Sequence, residues 1–214
     1  MSRPAKEGWL VPTGVAIRDA RQQLFDAAER VLLRGGPSAL TSRAVTAEAG
    51  VAKGVLHRHF ADFDAFLAEF VLDRVDRMDS QAAALRDAAG TGTVVGNLTG
   101  ALSALFESVA VAIVPLITFR DELRARLRDG WPAGVPVLTE AMVMIAGYLT
   151  AERDLGRIAA DAEVDILAPM LIGTTHLLYA DRTGTQPSAA AVRTVVTKVI
   201  ADVVRHDAPG RPAG

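Results

Sequence analysis

Residues 41–60 read TSRAVTAEAGVAKGVLHRHF, a helix, a tight turn and a second helix by spacing. Val45, Ala49, Val51, Leu56 and Phe60 supply the inward positions. Gly50 stands between the helices, where the chain reverses and a residue free to take positive φ costs least. Lys53, Gly54, His57, Arg58 and His59 are left on the outer face of the second helix. A short helix with that cationic face suits the major groove of DNA better than it suits a protein core.

Charge distribution points the same way. The whole chain is nearly neutral at −2, yet residues 1–60 carry nine Lys/Arg against five Asp/Glu. The rest carries fourteen against twenty, so only the first part is built to face a polyanion. At 214 residues, one or two domains with a sizeable core are expected. Half the residues are hydrophobic and mean hydropathy is +0.24, which calls for buried helix surfaces, an apolar cavity or an oligomer interface. The longest apolar run, Val109–Ile117, contains Pro115 and falls well short of the ~20 residues of a membrane span. The N-terminus, with Glu7, lacks a signal peptide's apolar core. The absence of cysteine excludes disulfides and thiolate metal sites, and a cytoplasmic location with no membrane partner is expected.

Almost every periodic segment is helical. Residues 1–16, with Pro4, Gly8, Pro12 and Gly14, read as a flexible arm, and 208–214 as a Pro/Gly tail. Ile17–Arg34 follows helical spacing until Gly35-Gly36-Pro37 stops it. Thr41 or Ser42 can cap the next helix, and Asp62 a long one from about Phe63 to about Ala88. Gly90–Gly92 should break the chain before further helices over Thr93–Val109, Val111–Arg128, Val135–Glu152, Glu163–Arg182 and Ser188–His206. Hairpin signals are missing. The fold class is all-α, with a helix-turn-helix domain over 17–61 and a larger helical domain over 62–207.

The first ~75 positions resemble the N-terminal domain of tetracycline-repressor-type (TetR) transcriptional regulators. The resemblance rests on Arg21, Ala27-Ala28, Gly35 or Gly36, Leu40-Thr41, Val45, Glu48-Ala49-Gly50-Val51, Lys53-Gly54, Leu56 and His59-Phe60. Farther on, Tyr148-Leu149, Glu152, Gly156-Arg157-Ile158, Asp161 and Gly173 stand at similar spacing. It implies a two-domain helical homodimer whose C-terminal domain binds a small molecule that alters affinity for a double-stranded DNA operator. Departures stand at Ala52, Val55, His57 and Phe63, where such proteins usually have serine, threonine or serine, tyrosine and lysine. Thr46 replaces a customary alanine. The operator is therefore not inherited from a relative, and a second reading stays open: a helical small-molecule binding protein with a weakened DNA-binding head.

Roles follow from chemistry. Thr41 and Ser42 open a helix whose N–H groups can hold phosphate, and Arg43 can fork onto a phosphate or a guanine edge. Gly54 lets the backbone approach the groove, and Val55 offers a thymine methyl an apolar contact. Lys53, His57, Arg58 and His59 can hydrogen-bond bases or phosphates. His57 and His59 diverge on a helix, so with Asp62 they make no metal site, and no metal or cofactor is expected. Neither a G-x-S-x-G elbow nor a phosphate loop occurs. Glu107, Glu140 and His176 stand isolated in apolar helices, so no enzyme is expected.

The last two helices carry apolar faces wide enough for a four-helix dimer interface: Ile166, Met170 and Leu178 on one, Val192, Val196, Val199, Ile200 and Val203 on the other. The middle helices offer a sensor pocket from Phe106, Phe119, Trp131, Met142, Met144, Tyr148 and His176. Scattered polar groups among them fit a small, mainly hydrophobic effector, uncharged or weakly charged.

Overall fold

The computed structural model describes residues 14–132, 134–180 and 186–205. They fold into two compact units that divide between Phe66 and Leu67, with helix following helix. Among the described residues the sole strand-like pairing is an isolated antiparallel bridge between Ile158 and Val204. No single helix there is long and apolar enough to cross a membrane.

In the first unit, α1 (Gly14–Gly35) is followed by a 3₁₀ turn (Pro37–Ala39), α2 (Ser42–Glu48), α3 (Gly54–His59) and the start of α4 (Phe63–Asp76). Residues 14–16, expected in an arm, already belong to α1, whereas the rest of that arm and the 208–214 tail lie outside the described residues. Leu24, Ala27, Ala28, Val31 and Leu32 recur at three- and four-residue intervals on α1 and are buried against α2 and its neighbours. Phe60 meets Phe66 edge-on at 5.0 Å and Phe25 at 5.8 Å, an aromatic nucleus beneath the short helices.

In the second unit, α5 (Met78–Asp87), α6 (Val94–Glu107), α7 (Ala110–Thr118), α8 (Asp121–Leu127), α9 (Pro136–Asp154), α10 (Val164–Ala180) and α11 (Ala189–Val199) follow. Here α9 packs on α5 and α10, and α11 packs on α6 and α10. Three expected helices differ. The long one from Phe63 is interrupted at Arg77, whose carbonyl accepts a bond from the Ser80 hydroxyl that competes with the helical ladder. The one over Val111–Arg128 divides at Phe119-Arg120, because Arg120 is extended and Asp121 and Glu122 favour a fresh helix start. The last stops at Val199. Beyond it the chain turns back, Val203 accepting from the Ala159 N–H at 2.7 Å and the Arg205 N–H donating to Arg157 at 3.0 Å.

Candidate DNA-reading face and ligand cavity

The turn at 49–51 is a complete Schellman closure. Gly50 takes φ +67°, its N–H donates to Ala47, and the Val51 N–H reaches back to Thr46 at 3.0 Å. These bonds satisfy the open carbonyl end of α2 and launch α3. At the other end Thr41 Oγ1 accepts the Ala44 N–H at 3.1 Å, capping α2 while its own hydroxyl proton remains to be donated. Two residues of α1 hold the pair in place. The Gln23 amide donates to the Ala49 carbonyl at 2.8 Å, and Arg21 donates to the His59 carbonyl at 3.2 Å while lying over the Phe60 ring. The carbonyl ends of α2 and α3 are thus both clasped from one helix.

Val45 and Leu56 are fully buried under this pair. Thr41, Arg43, Lys53, Gly54, His57 and Arg58 are exposed, and Val55 is half-buried. Arg43, Lys53 and Arg58 have no ion pair among the described residues, whereas Arg30 and Arg34 both bind Glu48 (2.8 and 2.7 Å). These two guanidinium groups hold the Glu48 carboxyl below its ordinary range. Two expected contacts stand differently. The Ser42 hydroxyl oxygen is buried, and His59 is half-buried with its ring beside Phe60. The amphipathic period of the helix pair turns both partly inward. Thr46, buried at the helix crossing, is satisfied by donating to the Ser42 carbonyl.

The second unit contains a cavity of about 390 Å³ between α5, α6 and α9. Its walls are Gln81, Ala84 and Leu85 from α5 with Ala88 just beyond its end, Gly96, Asn97, Gly100, Ala101 and Ala104 from α6, and Met144 from α9. The space exists because glycine and alanine recur every four residues on facing helices, and none of the ten side chains is ionisable. Its volume lies within the range of about 300–1,000 Å³ usual for small-molecule sites.

Behind Asn97 lies a buried polar network. Its amide nitrogen donates to the Ala88 and Thr91 carbonyls (3.1 and 3.0 Å) and to Tyr148 Oη (3.0 Å). Tyr148 Oη donates to Glu152 Oε1 at 2.5 Å, and both residues are fully buried. Burial, then the bond to Glu152, push the Tyr148 hydroxyl above the ordinary phenol range, so it stays protonated. Gly156, at φ +73°, closes α9 and turns Arg157 back onto Glu152, 3.3 Å from its carboxylate. Arg157 also donates to the Gly92 carbonyl at 2.7 Å, tying the α5–α6 connection to the end of α9.

Of the aromatic and methionine side chains expected around a pocket, Met144 lines this cavity. Phe119 is 85% exposed because it sits at the α7–α8 break. Phe106 is buried, stacked on Tyr179 at 5.6 Å with His176 at 6.0 Å. Burial lowers the His176 pKa below its ordinary value. Tyr148 belongs to the network behind the wall, Met142 is half-buried on α9, and Trp131 donates to Glu140. The cavity is marked in the sequence by the four-residue spacing of Gly96, Gly100 and Ala104 rather than by large side chains.

The expected interface residues also divide. Val192, Val196 and Ile200 have no exposed surface, since α11 spends that stripe on α6 and α10 of its own chain. Val203 has left the helix, and Leu178 and Val199 are half-buried. Ile166 and Met170 are about half exposed at 53% and 48%, in line with Leu177 at 73%.

Residues 24–70 match the family model of bacterial regulatory proteins, tetR family. No curated protein sequence matches the chain. Among solved structures, the reduced form of Escherichia coli NemR is similar at a TM-score of 0.70, with 12% identity over 89% of this chain and 100% of that one. The fatty acid degradation regulator FadR of Bacillus halodurans gives a TM-score of 0.62, with 17% identity over 84% and 94%. FadR of Bacillus subtilis, in complex with stearoyl-CoA, gives 0.61, with 18% identity over 85% and 98%. At such identities the structural likeness is one of fold, and the helix-turn-helix falls within the residues the family model matches. The helix-turn-helix segment thus carries the match to the tetR family of bacterial regulatory proteins, and the solved structures share the chain's fold.

Proposed function

We propose that this DNA-binding regulator is a ligand-responsive repressor, holding a roughly palindromic operator as a homodimer and released by a small, mainly hydrophobic, uncharged effector. The observation that carries the reading is the exposed set Arg43, Lys53 and Arg58, without an ion pair among the described residues, beside His57 on the α2–α3 pair, while Arg30 and Arg34 are committed to Glu48. In a two-fold dimer the recognition helices would enter successive major grooves about 34–36 Å apart. The partner copy would cover the exposed Ile166, Met170 and Leu177 stripe of α10. The effector would occupy the α5–α6–α9 cavity, where no cation stands to meet the phosphates of a ligand such as the stearoyl-CoA of Bacillus subtilis FadR. Moving the operator-bound state from 99:1 to 1:99 asks the effector for about 5.5 kcal/mol of differential affinity.

Footprinting upstream of the protein's own gene, followed by salt titration, tests the DNA half. With about six to ten phosphates neutralised, affinity should drop ~10³–10⁵-fold between about 50 and 200 mM salt. Arg43→Ala and Lys53→Ala should each weaken binding and, where the contact is to phosphate, lower the salt slope by about 0.9 per protomer. Undiminished operator binding in the double variant would overturn the assignment. Thermal-shift hits repeated in an operator-release assay test the effector half.

A further inference from the structure

The cavity between α5, α6 and α9 has a direction and a length. The helices α5 and α6 turn back on each other as a hairpin, tied at the connection where the Asn97 amide of α6 donates to the Ala88 carbonyl at 3.1 Å. Lining residues recur along both arms, Gln81, Ala84 and Ala88 on the first and Gly96, Gly100 and Ala104 on the second. At about 1.5 Å of rise per residue, Gln81 to Ala88 covers about 10.5 Å and Gly96 to Ala104 about 12 Å. The space of about 390 Å³ is therefore a slot running beside the helix axes rather than a round chamber.

The middle of the slot is its emptiest part. Ala84 and Gly100 project at most a methyl group there, and a Cβ built on Gly100 would meet nothing within 4 Å. The polar lining residues Gln81 and Asn97 stand toward opposite ends, whereas Leu85 and Ala101 between them are apolar, as is Met144 on α9. An apolar molecule is stabilised in proportion to the area it removes from water, and in a slot that area grows with length. A cage or fused ring with the same number of carbons would leave the ends unfilled. Resting on the effector reading above, we infer that the ligand is an extended, unbranched hydrocarbon chain that fills the slot end to end. With bonds of ~1.52 Å, a zigzag chain advances ~1.25 Å per carbon, so the slot takes about eight to ten carbons.

A chain-length ruler tests this with the full-length protein: 1-hexanol, 1-octanol, 1-decanol and 1-dodecanol titrated by calorimetry, beside adamantan-1-ol, a cage with the carbon count of 1-decanol. Affinity should rise about four-fold per added carbon as far as 1-decanol, then level off because further carbons emerge into water. Adamantan-1-ol should bind more weakly than 1-decanol by about ten-fold or more. Ala104→Leu, at an exposed end position, should shorten the slot by about one helical turn, weakening 1-decanol about ten-fold or more and sparing 1-hexanol. Gly100→Leu, in the open middle of a helix that leucine favours, should fold and weaken both. A rise that continues unbroken through 1-dodecanol overturns the chain inference and leaves the effector reading standing. So does adamantan-1-ol binding as tightly as 1-decanol, or equal losses for 1-hexanol and 1-decanol in Ala104→Leu. Failure of every alcohol to bind, or binding indifferent to Gly100→Leu, overturns the inference by removing its slot. Chain binding that follows the ruler but never alters operator affinity would fault the effector reading alone.

Discussion

Tyr148→Phe removes one oxygen from a fully buried site and leaves the ring's apolar burial intact. That oxygen donates to Glu152 at 2.5 Å and accepts from Asn97 at 3.0 Å. Without it, the fully buried Glu152 carboxylate keeps only longer contacts, the Gly90 N–H at 3.4 Å and Arg157 at 3.3 Å. A hydrogen bond to a charged group contributes about 1.5–3 kcal/mol net, and leaving such a group short costs at least as much. At about 2–4 °C per kcal/mol for a chain of this size, the melting temperature should fall by about 3–12 °C. Circular dichroism melts near neutral pH measure it. A double-mutant cycle with Glu152→Gln should give a coupling of about 1 kcal/mol or more, because both changes break the same contact. Strict additivity, or a Tyr148→Phe protein melting with the parent, would refute the reasoning that the network stabilises this end of the fold.

Ile166→Asp combined with Met170→Asp should convert a dimer to a folded monomer by light scattering with unchanged helicity, and a dimer that persists would move the interface off α10. Val196→Asp should instead lower the melting temperature severely, since it sets an unpaired carboxylate in the chain's own core. His176 is held below its ordinary pKa of 6.5 by burial, so the unfolded chain binds its proton more readily. Stability from this group is complete above that pH and declines as pH falls below it. His176→Leu should therefore flatten the loss of melting temperature between about pH 7 and 5, and an unchanged slope would assign the acid sensitivity elsewhere.

The DNA-reading unit was legible because its signals are local. A cap at Thr41, a glycine at the αL turn and a four-residue apolar period lie within twenty residues and need no tertiary partner. The second unit was legible as helices but not as sites. Val192, Val196 and Ile200 form the same apolar stripe whether it faces a second copy or its own α6 and α10, and periodicity does not name the partner. Large residues such as Phe106 and Tyr148 were expected to mark the pocket, yet they fill space, and the cavity lies where Gly96, Gly100 and Ala104 fail to. Glu152 and Arg157 could be seen as a pair only once the turn at Gly156 folded one onto the other.

The clasp on α1 bears on how such a regulator changes its target. Gln23 and Arg21 grip main-chain oxygens of Ala49 and His59, and a main-chain oxygen is present whatever side chain that position bears. Lys53, His57 and Arg58 stand in solvent with no part in that grip. Their identities are consequently free to drift without loosening the frame that presents them. Placement and vocabulary are held by different atoms, so a gene duplicate can learn a new operator one exposed residue at a time while remaining folded throughout.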